Sequence, residues 1–410
     1  MRNLGNIHGF FFGELDGDYI LKPETMDGHI LVVGGSGSGK SSCIVIPSLV
    51  TWKTRVFAID IKGELYKNTA RERPNAKVFD PTDPNAYGYD PFYVLQNADD
   101  QAQEAEAIAL ALIPTPTDKR DAFWIENAQN MLTGLLLFFH NQGYSFINTM
   151  IEIQSAPIRN LIDYISDKSE IAEARIYVNA FKSMENRELA GIYGEVSRHI
   201  KIFATNKSVK NAFSQSKKIT PDDLEGDSDI YFCIPQHLIE QWKHLTTLII
   251  SQFLRHFKQR PDRNAKPILF LLDEFAQLGK IDEIAGGLAT LRSKNITMCL
   301  VIQELAQLEQ TYDKPTMRTI CGNCHFKAVL NAADTESQEY FSKLGGTYEK
   351  TKISWSRNYM PIVNFPLSSG INIYTEEKPR IKSADFGTLK NMILYTPDGV
   401  YRINKDPYYT

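Results

Sequence analysis

Eight consecutive residues carry the strongest chemical signal in this chain: Gly34-Gly35-Ser36-Gly37-Ser38-Gly39-Lys40-Ser41. They match G-x-x-x-x-G-K-[ST] and stand between an apolar run, Ile30-Leu31-Val32-Val33, and a stretch with helical spacing. In that context the pattern forms a phosphate cradle. Glycines let successive backbone N–H groups turn inward, and the N-terminus of the following helix adds partial positive charge. Gly35, Ser36, Gly37, Ser38, Gly39, Lys40, Ser41 and Ser42 are therefore the expected nucleotide-contacting residues. Lys40 can reach the β- and γ-phosphates of ATP, and Ser41 can ligate Mg2+. Such a cradle needs carboxylates at the end of another strand. Pro267-Ile268-Leu269-Phe270-Leu271-Leu272 runs straight into Asp273-Glu274. Asp273 is placed with Ser41 in the Mg2+ shell, and Glu274 is placed to polarise the attacking water. ATP and Mg2+ are the expected cofactors, and an ATPase is the expected enzyme class.

These groups need a scaffold that brings distant strand ends together. Ile30–Val33, Arg55-Val56-Phe57-Ala58-Ile59-Asp60 and Lys77-Val78-Phe79-Asp80 read as strands, with a helix over 41–52 between the first two. Apolar strands alternating with helices predict a parallel-rich sheet covered on both faces. From 99 to 211 the pattern changes to helical spacing almost throughout, as in 101–113, 123–140, 158–165 and 187–203. Strand character returns at Asp229-Ile230-Tyr231-Phe232-Cys233-Ile234, followed by a helix over 237–257 and strands at 268–272, 296–302, 326–330 and 392–395. The expected organisation is a nucleotide-binding domain in two parts, 1–98 and 212–410, split by an all-α insertion over 99–211 with a core of its own.

Composition narrows the class further. A chain of 410 residues, 43% hydrophobic and 23% charged, can bury a large core. Its net charge of −4 advertises no global field for nucleic acid, although local patches can still steer one. No run approaches the ~20 apolar residues of a membrane-spanning helix, and Met1-Arg2-Asn3-Leu4-Gly5 lacks the build of a signal peptide. The expectation is a soluble, cytoplasmic polypeptide. Five cysteines, Cys43, Cys233, Cys299, Cys321 and Cys324, suit buried thiols rather than a disulfide framework.

Several segments together resemble the TraG/TraD-like coupling ATPases of type IV secretion and conjugative DNA transfer. Asp273-Glu274-Phe275-Ala276-Gln277-Leu278-Gly279 is similar to their D-E-[FA]-x-x-L-G segment, and Ile59-Asp60-Ile61-Lys62-Gly63-Glu64 to their D-x-K-G-E segment. Val301-Ile302-Gln303 resembles a strand ending in the glutamine that senses the γ-phosphate. Asp121-Ala122-Phe123-Trp124 and Ile320-Cys321-Gly322-Asn323-Cys324 are also family-like, and the resemblance runs from about residue 20 to the C-terminus. It implies a RecA-like P-loop fold and hexameric rings on the cytoplasmic side of the bacterial inner membrane. It also implies an N-terminal transmembrane anchor that has no counterpart among these residues. Partners would be DNA (single-stranded or relaxase-bound), secreted protein effectors and other type IV secretion components. Arg292, between a helix and the strand leading to Gln303, matches the place of the family's trans-acting arginine, with Arg318 the next candidate. The expected catalytic set is thus Glu274, Lys40, Arg292 and Gln303.

Three features point less clearly. Cys321-Gly322-Asn323-Cys324-His325 fits the haem signature C-x-x-C-H, but it enters a strand and lacks a second pair for zinc, so packing is the expected role. The basic cluster Arg255, Lys258, Arg260, Arg263 and Lys266 fits a solvated connector as well as a phosphate track. Residues 347–380, rich in Ser, Asn and aromatics, read as a hairpin or a long loop. The reading is an ATP-driven motor that couples recruitment to export of DNA or protein. The alternatives are another hexameric DNA translocase, and a recruitment platform in which ATP serves assembly.

Overall fold

The strands that flank the glycine-rich loop are short and apolar, and Ile30–Val33, Ile268–Leu272 and Ile296–Ile302 are buried at every position. That is the pattern of strands covered on both faces. The computed structural model describes residues 4, 6–96, 98–115, 121–263, 265–359 and 366–409. Among them nine strands form one sheet: β1 (Ile30–Val33), β2 (Arg55–Asp60), β3 (Ala76–Phe79), β4 (Asp229–Cys233), β5 (Ile268–Leu272), β6 (Ile296–Ile302), β7 (Phe326–Val329), β8 (Met392–Thr396) and β9 (Gly399–Ile403). Their order across the sheet is β9-β8-β7-β1-β6-β5-β2-β4-β3. The seven from β7 to β3 run parallel, and β8 and β9 close one edge as antiparallel strands.

Alternate residues feed two cores. Leu31, Val33, Phe57, Phe232 and Phe270 face the long helix Ile239–Lys258, whose Phe253 ring lies 4.6 Å from that of Phe57. Ile30, Val32, Val56, Ala58, Leu269 and Leu271 face the helical segment that follows the glycine-rich loop, through Ile44, Val45 and Leu49. An N-terminal hairpin, Phe10–Leu15 with Asp18–Lys22, covers the same face, Phe12 stacking on Phe326 at 5.8 Å. Neither this hairpin nor β9 was expected from the sequence.

Between residues 99 and 214 the described chain is helical, from Gln101–Leu112 to Lys207–Ser214. Asp100, Ser145 and Asn206 begin three of these helices by accepting from the backbone N–H of Gln103, Asn148 and Val209. The packing, however, joins what the expectation of a separate core divides. Phe213 lies 6.0 Å from Phe79 of β3 and 5.7 Å from Phe146, which lies 5.5 Å from Phe92. One continuous apolar cluster runs from the sheet through Ile239–Lys258 into the helical region. Residues 347–380 form a hairpin, Thr347–Tyr359 against Pro366–Pro379, of which 360–365 lie outside the described residues. No described helix is long and apolar enough to cross a membrane.

Candidate functional site

Register brings five strand ends level. Val33 pairs with Ile302 and Val329, and Leu272 pairs with Leu300 and Ile59. The residues just beyond these positions therefore share one edge of the sheet. They are the glycine-rich loop, Gln303, Asn331, Asp273-Glu274, and the segment from Asp60 to Lys62.

The loop is anchored before it turns. Gly34 N donates to Ile302 O at 3.2 Å, and Gly35 N donates to Asn331 Oδ1 at 2.6 Å. Gly37 and Gly39 hold φ of 73° and 95°, a region open to glycine at little cost. Gly39 then opens a helical segment whose first turn, Lys40–Val45, is wound as a π-helix before Ile46–Thr51 continues as an α-helix. Such windings concentrate at functional sites. The nearly buried Lys40 curls back so that its ammonium donates to Gly34 O at 2.5 Å and to Gly35 O at 3.4 Å.

Opposite the loop three carboxylates are buried: Asp60, Asp273 and Glu274. Asp60 Oδ2 accepts from Tyr66 N at 2.9 Å, while Oδ1 has no hydrogen-bond partner among the described residues. Glu274 sits at φ 46°, ψ 42°, left-handed backbone that costs a non-glycine residue on the order of 1 kcal/mol. The turn aims its carboxylate between two neighbours: Oε2 accepts from Gln303 Nε2 at 3.1 Å, and Oε1 lies 4.0 Å from Lys62 Nζ. Burial, then the charges of Glu274 and Asp60, push Asp273 up to about 7, against the pull of Lys62 and Lys40. Burial also raises Asp60, opposed by backbone N–H groups from Tyr66, Gly63, Lys62 and Leu65. Burial lowers Lys40, with Glu274 and Asp273 opposing and Lys62 adding to the effect.

Negative charge is thus collected here beyond what the two lysines offset. The described residues contain no group of three or more His, Cys, Asp or Glu side chains arranged as a metal cage. Oxygen donors at Ser41 and Asp273, with the unpartnered Asp60 Oδ1 nearby, instead suit a hard divalent cation that completes its shell with waters and phosphate oxygens.

The edge gathers Gly35 to Ser42, Asp273, Glu274 and Gln303, but Arg292 lies elsewhere. It is exposed in the single turn Leu291–Lys294 that enters β6, at the amino edge of the sheet. The seven residues of β6 put roughly 23 Å between the two edges. Arg318 is exposed on the helix Lys314–Asn323. Asn331 was not foreseen. It is one polar residue after an apolar strand, and only the sheet order makes it a neighbour of the loop. Lys62 was noted only as part of a family-like segment.

The remaining sequence features have structural partners. Cys321 and Cys324 are buried, burial raising the thiol of Cys321 to about 11 and that of Cys324 further, while His325 is exposed. In the basic cluster Arg255 pairs with Glu104 at 3.2 Å, Lys258 with Glu283, Arg260 with Glu225 at 2.8 Å and Arg263 with Asp27 at 3.6 Å. A cleft of about 800 Å³ separates the helical region from the sheet edge. Arg198 and His199 line it on one side, and Lys243, Gln277 and Gln307 on the other.

The family described as "Type IV secretory system Conjugative DNA transfer" matches residues 4–364. Protein VirD4 of Rhizobium rhizogenes is 26% identical over 400 residues, covering 93% of this chain and 59% of its own length. The chain therefore spans about three-fifths of the curated relatives it first matches. Among solved structures, the plasmid coupling protein TrwB bound to a non-hydrolysable ATP analogue superposes with a TM-score of 0.74 at 14% identity, over 92% of this chain and 85% of that one. TrwB with ADP and Mg2+ superposes with a TM-score of 0.73 over the same shares, also at 14% identity. At that identity the likeness establishes the fold: a RecA-like P-loop sheet.

Proposed function

The chain belongs to the type IV secretory system conjugative DNA transfer family, and from that premise we propose that it is the ATP-hydrolysing motor of a coupling protein. The observation that carries this reading is the shared edge, where the loop, Asp273, Glu274 and Gln303 converge from adjacent parallel strands. TrwB, of the same fold, has been captured with an ATP analogue and with ADP and Mg2+. Here Gly35 to Ser42 would hold the phosphates of ATP, and Ser41 and Asp273 would hold Mg2+. When bound, Mg2+ supplies positive charge to the β- and γ-phosphate oxygens. Lys40 exchanges its carbonyl contacts for the phosphates. Glu274 orients the attacking water and takes its proton, while Gln303, bonded to Glu274, reports whether a γ-phosphate is present. Arg292 acts on the site of a neighbouring subunit, which requires assembly into a ring, expected to be a hexamer.

The helical unit 99–211 is the proposed recruitment region, set across the cleft from the segment after Glu274. Its cargo is DNA, free or relaxase-bound, or a protein effector, delivered to a secretion channel on the cytoplasmic side of the inner membrane. Isothermal titration and phosphate release test the core of this reading. Lys40→Ala should weaken ATP binding, whereas Glu274→Gln should bind normally and lose turnover by about 10²-fold or more. Wild-type turnover in Glu274→Gln would remove the catalytic assignment.

A further inference from the structure

Among the charged groups at the carboxyl edge, Lys62 keeps its head least engaged. Lys40 donates to two carbonyl oxygens, and Asp60, Asp273 and Glu274 are buried. The Lys62 side chain is 40% exposed, and its ammonium makes no hydrogen bond among the described residues. Its ion pair with Glu274 Oε1, at 4.0 Å, is longer than a hydrogen bond.

The backbone that carries this side chain is fixed. Ile61 is fully buried, and Asp60, at the end of β2, accepts from the N–H groups of Tyr66, Gly63, Lys62 and Leu65. Gly63, at φ 68°, then turns the chain into the helix Glu64–Thr69. Register sets this turn beside the site, since Ile59 pairs with Leu272 and Ile59 O accepts from Asp273 N at 3.3 Å. From there the charge of Lys62 acts on Asp273 and on Lys40 as well as facing Glu274. A pinned turn thus holds a flexible cation between the carboxylates and the lysine of the glycine-rich loop.

Glu274 is the group this placement bears on most. Gln303 Nε2 holds Oε2 at 3.1 Å, so Oε1 is the oxygen left for the attacking water, and Lys62 stands over it. Given that ATP occupies this edge, as proposed above, we infer that Lys62 is a γ-phosphate contact. On ATP binding its ammonium leaves Glu274 for the terminal phosphate oxygens, and Oε1 opens to the water. With ADP there is no terminal phosphate, and Lys62 stays with Glu274. The exchange is favourable because a half-exposed ion pair at 4.0 Å contributes little, whereas an ammonium–phosphate hydrogen bond is among the strong ones. Lys62 therefore favours the triphosphate over the diphosphate and ties that preference to the freeing of the base. A lysine that only offset the three carboxylates would act alike on both nucleotides.

Titration calorimetry of the full chain separates the two roles. The ligands are the non-hydrolysable analogue adenylyl imidodiphosphate and ADP, each with Mg2+. Lys62→Met, which keeps the stem, should weaken binding of the analogue about tenfold or more and leave ADP affinity unchanged. Lys62→Gln should show the same split. Unchanged ADP affinity also reports that the variants fold. Equal loss for both nucleotides, or no loss for either, would overturn the γ-phosphate contact. If the wild type bound neither nucleotide, the ATPase assignment itself would fall, and this contact with it.

Discussion

The two edges of the central sheet bury charge in opposite ways. At the amino edge Lys22 is fully buried, yet its ammonium donates to Met26 O at 2.5 Å and Thr297 Oγ1 at 2.9 Å. His29, equally buried, bridges Leu288 O at 2.8 Å and the N–H of Met298 at 3.0 Å. These groups are satisfied by the fold and hold it together. At the carboxyl edge Asp60 Oδ1 and Ser38 Oγ are buried without a hydrogen bond among the described residues, and three carboxylates crowd two lysines. Such an arrangement is costly unless a ligand completes it. Charge satisfied within the fold marks structure, and charge left open marks a site. Arg292 is an exception at the amino edge: exposed, and roughly 23 Å from its own chain's loop.

The largest effect that could break this contrast is expected at that exception. Arg292→Ala should bind ATP as the wild type does and release phosphate about 10³-fold more slowly. An unchanged rate would return the arginine to a solvated helix end.

Next comes the pH dependence of stability in the nucleotide-free protein, where the edges should pull in opposite directions. Burial raises Asp273 from 3.8 to about 7, so within that window the folded chain keeps a proton that the unfolded chain has released. Its contribution to stability therefore falls as pH rises from about 4 to 7. His29 is lowered by burial from 6.5 to about 4 and stays neutral where the unfolded imidazole is charged. Its contribution is lost as pH falls through that range. Over its full window each change is on the order of 3–4 kcal/mol, larger for Asp273 than for His29. Urea titrations across pH should show Asp273→Asn removing the first slope and His29→Gln the second. Identical slopes in both variants would dissolve the distinction.

The smallest effect is expected at Asn331, which anchors the loop through Gly35 N. Asn331→Ala should weaken ATP binding about fivefold, the equivalent of about 1 kcal/mol. Titration calorimetry reads this directly, and an unchanged affinity would show that the loop holds its shape without the anchor.

Much of the carboxyl edge was legible in the sequence because its chemistry is local. The glycine-rich loop and Asp273-Glu274 each stand next to an apolar strand, and parallel strands leave those ends on one side. Asn331 and Lys62 were not legible as site residues, since their roles depend on which strands are neighbours. The N-terminal hairpin escaped because Phe10-Phe11-Phe12 is apolar without alternation and all three are buried. The helical spacing of 99–211 was plain, but its shared core was not. Contacts such as Phe213 with Phe79 link residues far apart in sequence, and periodicity reports only which residues are apolar.

In the proposed assembly one chain's amino edge serves the carboxyl edge of its neighbour. Mixing Arg292→Ala with Glu274→Gln tests it most directly, because each variant keeps the half that the other has lost. In mixed assemblies, verified by crosslinking, some interfaces pair an intact Glu274 with an intact Arg292. Phosphate release should recover to a fraction of the wild-type rate, although each variant alone is slowed by about 10²-fold or more. No recovery in assemblies that contain both variants would contradict it.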